Sequence, residues 1–316
     1  MQYRSRQRQR SRWPYAAVAA CATVAIISLW LGIGAHMREA NAGSLPRAAA
    51  TPSVTARIPA TIANGTRVRL GGAAAGACVS YRPSSADRHL TVFLDPGHGG
   101  PDPGTSGVTS SGAVVLEKTE TLAVATRLAR LLQSAGFRIV LSRTSDSTVA
   151  ALTSADLDGG ALTPAAEIRD LNERVACANA SGADAALSIH FNGFDDDSVG
   201  GSETFYDPDR PFAQKSLKLA GSVQEALVAG LRLSDRGVTA DDQLVTETLT
   251  GQGAAYGHLI LLGPAQSGFV DSPTMMPGAL AESLFLTNPA EADLVNSAPN
   301  RVAQALASGL ESYFGG

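Results

Sequence analysis

From about residue 89 the chain alternates short apolar runs with helical stretches, and nothing else in its 316 residues constrains the fold as strongly. Leu90 to Leu94 is short, apolar and closed by glycines, so it reads as a strand. Thr119 to Ser134 puts Leu122, Ala125, Leu128, Leu131 and Leu132 on one helical face, and Gly136 ends it. Phe137 to Leu141 reads as a second strand. Ala165 to Ala180 reads as a second helix, with Ile168, Leu171, Val175 and Ala178 on its apolar face. Ala185 to Ile189, Thr204 to Tyr206, Leu259 to Leu262 and Gly278 to Phe285 read as further strands. Leu217 to Leu231 and Arg301 to Tyr313 read as further helices. This order predicts the α/β class: a single domain with a central, mostly parallel mixed sheet flanked by helices on both faces.

The segment before residue 89 has a different character. Residues 1–42 carry six arginines, five of them between Arg4 and Arg12, and a single acid, Glu39. Ala16 to Ala35 is uncharged and mostly apolar, and Ala40-Asn41-Ala42 follows as a small-residue cleavage site. This is the three-part pattern of a secretory signal, so residues 1–42 are expected to be a signal peptide. An apolar run of 20 residues also suffices for an uncleaved membrane anchor. Either reading places the body in an extracytoplasmic space, periplasmic or extracellular. Residues 43–88 are rich in Ala, Pro, Ser, Thr and Gly and read as an arm or linker before a domain at 89–316. Beyond the signal only Cys78 and Cys177 remain, an even count that favours a disulfide in an exported chain, with two buried thiols as the alternative.

Residues 43–316 hold 19 basic and 28 acidic residues, a net charge of −9 that offers no footprint for nucleic acid. Residues 145–164 and 239–277 are long and small or polar, and are candidates for flaps over a site.

Chemistry concentrates at strand ends. Asp95-Pro96-Gly97-His98-Gly99-Gly100 follows the first strand directly, and open α/β sheets bind ligands beyond the carboxyl ends of their strands. Ser188-Ile189-His190-Phe191-Asn192 ends another, so two histidines come from the same sheet edge. Glu117 opens the helix after the first strand. The helix dipole explains a carboxylate there, and so does a His₂Glu metal set with an open fourth position. Glu282 interrupts an apolar strand, which is costly unless a cation is near.

These motifs stand in the order found in a known family. The DPGHGG loop, Glu117-Lys118, Ser142-Arg143, Arg174 and Asn179 in a helix, SIHFN, and Ala281-Glu282-Ser283 in AESLFLTN are collinear over about residues 90–314. The chain thereby resembles the zinc-dependent N-acetylmuramoyl-L-alanine amidases of the type-3 family, which cut peptidoglycan. The resemblance implies a single α/β domain with a central mixed sheet and one zinc ion held by His98, Glu117 and His190. It implies Glu282 as the catalytic carboxylate and peptidoglycan or a muropeptide as substrate. The activity implied is hydrolysis of the amide between the lactyl group of N-acetylmuramic acid and L-alanine, in wall remodelling or turnover. A regulatory protein partner and a monomeric chain are further expectations. A catalytically silent wall-binding scaffold, or an activator of another hydrolase, is the alternative. Asn192 is a candidate substrate contact. Arg143 and Arg174 could hold a stem-peptide carboxylate or serve as structural ion-pair residues. His258 has no counterpart among the family ligands and reads as structural or as loop surface.

Overall fold

The computed structural model describes residue 62, residues 64–243 and residues 256–315. The signal segment lies outside the described residues, as does part of the 239–277 stretch. An eight-stranded sheet runs in the order β1-β2-β6-β3-β9-β12-β10-β11. In chain order these strands are β1 (Thr66–Arg67), β2 (Ala77–Tyr81), β3 (Thr91–Pro96), β6 (Arg138–Arg143), β9 (Ala185–Asn192), β10 (Ser202–Tyr206), β11 (Asp235–Ala240) and β12 (Gly278–Phe285). The inner strands β6, β3, β9 and β12 are mutually parallel. β2 and β10 join them antiparallel, which makes the sheet mixed. Two small hairpins lie outside it: β4 (Ser106–Val108) with β5 (Val114–Leu116), and β7 (Leu157–Asp158) with β8 (Ala161–Leu162).

Among the described residues five helices surround the sheet: α1 (Glu117–Ser134), α2 (Pro164–Ser181), α3 (Ala213–Leu231), α4 (Pro289–Ser297) and α5 (Pro299–Gly315). Strand periodicity decides what each face meets. Val92 and Leu94 of β3, with Leu187 and Ile189 of β9, pack against Leu128 of α1, Val223 of α3 and Leu306 of α5. Phe93, Val140 and Ala186 face the other way, onto Val175 and Ala178 of α2 and onto Tyr256, Ile260 and Leu261. Both faces are therefore covered, as the apolar inner strands require. Local signals set the α2 boundaries: Thr163 Oγ1 accepts from Ala166 N, Pro164 opens the helix, and Gly182 closes it with φ +59°.

Two expectations are corrected. Residues 43–88 are not simply an arm: β1 and β2 extend the sheet beyond β6, so the folded body begins before residue 89. These strands are short and flanked by Gly and Ala, so they carry no sustained apolar run. Leu259 to Leu262 is a buried turn and not a strand, with Leu262 N and Gly263 N both donating to Leu259 O. Leu259 and Leu262 fill the space beside Phe205 and Leu280, and Leu261 packs toward α2, so their apolarity reflects packing and not sheet pairing.

Cys78 and Cys177 are joined, linking β2 to α2 across 99 positions of chain. A cross-link that closes so long a loop removes much of the unfolded chain's freedom. Cys177→Ser is expected to cost about 2–5 kcal/mol of stability by denaturant unfolding, and reductant should have the same effect on the native chain but none on the variant.

Candidate active site

The site forms at the carboxyl ends of β3 and β9, where the loop after β3 turns back over the sheet. Asp95 anchors it. Its Oδ1 accepts from Ser142 Oγ at 2.6 Å and from Arg174 Nη1 at 2.8 Å, and its Oδ2 accepts from Ser188 Oγ at 2.8 Å. Arg174 also donates to Asp170 Oδ2 at 3.0 Å, to Pro96 O at 2.9 Å and to His98 O at 2.8 Å. Arg143 is wholly buried and donates to the carbonyls of Pro96, Gly97, Lys118 and Ser145. The two arginines are thus loop clamps, consistent with their reading as structural residues. Burial alone would raise the Asp95 pKa, but the Arg174 guanidinium and the Ser142 hydroxyl hold it below the usual carboxylate range.

The clamp fixes His98 in the left-handed region, at φ +60°. Its Nδ1 lies 2.7 Å from Asp102 Oδ2, and Asp102 Oδ1 accepts from Gly104 N. That pairing turns Nε2 toward Glu117 and His190. Glu117 is the first residue of α1; its Oε2 accepts from Thr105 N at 2.7 Å and its Oε1 from Phe191 N at 3.0 Å. Gly104 makes this approach feasible: a Cβ there would sit 2.5 Å from Glu117 Oε2 and 2.6 Å from the His98 ring, at a φ of +64°.

Three donor atoms converge. His98 Nε2 is 3.1 Å from Glu117 Oε1, His190 Nδ1 is 3.0 Å from the same oxygen, and the two nitrogens are 3.2 Å apart. A tetrahedral zinc with bonds of about 2.0–2.1 Å holds its ligands about 3.3 Å apart, so the triangle fits one face of such an ion. The donor chemistry also fits, since imidazole and carboxylate are standard zinc ligands. Burial disfavours a charged His98, but the Glu117 carboxylate and the Asp102 hydrogen bond outweigh it and raise His98 to about 10. Burial likewise opposes an ionised Glu117, and the His98 and His190 rings overcome it and drive its pKa down. The pocket thus favours a positive charge among these donors.

Glu282 lies directly across the sheet from His190, and Glu203 of β10 lies on its other side. The residue is partly exposed, yet its Oε2 is buried and has no hydrogen-bond partner among the described residues. Burial, with the charges of Glu117 and Glu203, pushes its pKa well above the usual range. Asn192 is not drawn into this cluster by any hydrogen bond; its side-chain oxygen accepts from Gly193 N at 2.8 Å.

Several residues escaped the sequence reading. Asp102 lies four residues after His98 and orients it, a spacing that was readable in the loop. Lys118 bridges Asp146 at 2.9 Å and donates to Gly100 O, while Asp146 accepts from Gly100 N. Asp170 accepts from Val149 N and Ala150 N. Residues 146–150 are therefore bound beneath the loop. His258 is not free surface either; it meets Asp207 and Asp241.

Comparison with known proteins shows the family to which the chain belongs. A family described as N-acetylmuramoyl-L-alanine amidase matches residues 92–312. The amidase LytC of Bacillus subtilis is 33% identical over 71% of this chain, which spans only 35% of that protein. The germination-specific amidase of the same organism is 30% identical over 71% of this chain and 79% of its own length. The CwlD amidase of Clostridioides difficile, solved in complex with the GerS lipoprotein, superposes with a TM-score of 0.55 at 25% identity, covering 72% of this chain and 98% of that one. Fold and site together define a hydrolase domain built on a mixed α/β sheet. The chain belongs to the N-acetylmuramoyl-L-alanine amidase family.

The clamp yields a stability prediction. Arg174→Ala leaves Asp95 buried without its cation and should cost about 3–5 kcal/mol at neutral pH. The depressed Asp95 pKa makes its contribution full above about pH 4 and lost as pH falls through the folded value. The deficit of the variant should therefore stay constant down to about pH 4 and narrow below it, as denaturant unfolding at pH 7 and at about pH 2 would show; a deficit unchanged at the lower pH would refute the ionic account.

Proposed function

We propose that this chain is a zinc-dependent enzyme that hydrolyses the amide bond between the lactyl group of N-acetylmuramic acid and L-alanine of the stem peptide. The observation that carries this reading is the triangle of His98 Nε2, Glu117 Oε1 and His190 Nδ1 beside the Glu282 oxygen that has no hydrogen-bond partner among the described residues. His98, Glu117 and His190 would hold one zinc ion. When bound, zinc supplies Lewis acidity, polarising a carbonyl and acidifying water.

The protein's own groups do the rest. Asp102 fixes the His98 tautomer, which keeps Nε2 available as a donor. Glu282 accepts a proton from the attacking water at its free oxygen and returns it to the departing L-alanine nitrogen. Its raised pKa suits a group that must hold that proton between the two steps. Glu203, beside Glu282 in the sheet, supports that shift by like-charge repulsion. A silent scaffold would be expected to have lost a donor or the base, and all four side chains are present.

Export is part of the proposal. It rests on the arginine-rich start, the apolar run and the small-residue site at 40–42, together with the Cys78–Cys177 bridge, which belongs in an oxidising compartment. Peptidoglycan or a muropeptide is the proposed substrate, in wall remodelling or turnover. A regulatory partner is proposed by analogy with the relative solved with a lipoprotein bound.

Glu282→Gln is expected to lower kcat on isolated peptidoglycan by about 10²–10⁴-fold and to leave the metal content unchanged. Release of new alanine N-termini at the native rate would remove Glu282 from the mechanism. His190→Ala should lose metal from this site and turnover together, read by elemental analysis and the same assay.

A further inference from the structure

A second donor cluster lies at the opposite edge of the sheet. β10 runs antiparallel to β12, and β11 runs parallel to β10. Asp207 and Asp241, each one residue past its strand, therefore lie toward the amino ends of β9 and β12. His258 arrives from the buried segment that follows.

The two aspartates are arranged alike. Asp207 Oδ1 accepts from Asp209 N at 2.7 Å, and Asp241 Oδ2 accepts from Leu259 N at 3.0 Å. Each thereby has one oxygen anchored by a backbone N–H and turns the other toward His258 Nδ1, at 3.0 Å for Asp207 Oδ2 and 3.3 Å for Asp241 Oδ1. The nitrogen is aligned for a hydrogen bond with Asp241. One N–H cannot serve both oxygens, and Asp207 Oδ2 is left buried with no hydrogen-bond partner among the described residues. Asp207 is 2% exposed and Asp241 0%. Two ionised carboxylates at this point would carry more negative charge than a single imidazole can balance. The nearby cation, Arg210, does not offset it by contact: its guanidinium donates to the carbonyls of Leu262, Gly263 and Thr274.

We infer that Asp207, Asp241 and His258 form a second divalent-cation site, separate from the one at His98. A cation at the point the three donors share would satisfy the orphaned oxygen and neutralise the carboxylates. Two monodentate carboxylates and one imidazole suit zinc or manganese, with water completing the shell. A calcium site would draw on more oxygens. The anchoring N–H bonds are the outer-shell contacts that orient such ligands. The site fastens the segment that follows residue 255 to the ends of β10 and β11. It makes no use of the catalytic reading.

The test uses the full chain stripped with chelator and then exposed to zinc or manganese chloride alone. Bound metal is counted by mass spectrometry after gel filtration, and thermal midpoints are read with and without metal. Wild type should bind about two equivalents, His190→Ala and Asp241→Asn about one each, and the double variant none. The midpoint of His190→Ala should rise with metal and that of the double variant should not. Asp207→Asn, checked with Asp241→Asn for native circular dichroism, should repeat the loss. A metal-free His190→Ala with an unmoved midpoint would overturn the inference and leave the catalytic site standing. So would native stoichiometry in both aspartate variants. One equivalent that survives in His190→Ala and vanishes in Asp241→Asn would uphold this site and count against the catalytic one.

Discussion

The buried ion network of Asp95, Arg174 and Asp170 is what the rest of the site depends on. Arg174 is 2% exposed and stands between the two carboxylates. A buried ion pair adds little net stability by itself, because both partners are desolvated, but it fixes geometry tightly when its remaining donors are used. Here they are used on the loop. Arg174 and Arg143 together take the carbonyls of Pro96, Gly97 and His98, so the loop after β3 is held by its backbone and not by its side chains. That leaves the His98 ring free for chemistry while its φ of +60°, unfavourable for a residue with a Cβ, is maintained. The disulfide joins β2 to the same helix that carries Arg174, which ties the network to the sheet from a second side.

Within that frame the acids diverge. Glu117 is flanked by two imidazoles and is driven down; Glu282, with one oxygen orphaned and Glu117 and Glu203 nearby, is driven up. Both are carboxylates of one pocket, and their surroundings alone drive their pKa values apart. The separation comes from the sheet. His190, Glu282 and Glu203 stand in register on β9, β12 and β10, so their spacing is that of hydrogen-bonded strands and changes little as side chains move.

What could be read from the sequence follows from what was local in it. The inner strands are buried on both faces and appear as mostly apolar runs, and the candidate site residues sit in motifs a few residues long. The sheet margins were not legible in the same way. Thr66–Arg67 is a two-residue exposed strand, and β11, Asp235–Ala240, is mostly polar and partly exposed, so neither has an apolar signature. Leu259 to Leu262 has such a signature but pairs with no strand, because burial alone selects for leucine there. Asp207, Asp241 and His258 are individually unremarkable, and only the reversal of β10 brings them together.

That reversal also explains why one sheet face can hold two separate clusters. Glu203 and Asp207 are four positions apart, so the period of two in a strand puts both on the same face. At about 3.4 Å per residue they are about 13 Å apart, with Phe205 between them on that face. Phe205 packs with Leu259, Leu262 and Leu280, an apolar wall across the sheet between the Glu282 carboxylate and the Asp207 carboxylate. The wall is built by the same turn whose first backbone N–H anchors Asp241. Ordering that turn therefore both assembles the second cluster and closes the apolar barrier behind the first. The long connection between β11 and β12 thus contributes to the structure through its buried end, as a packed partner of the sheet, whatever its remaining residues do.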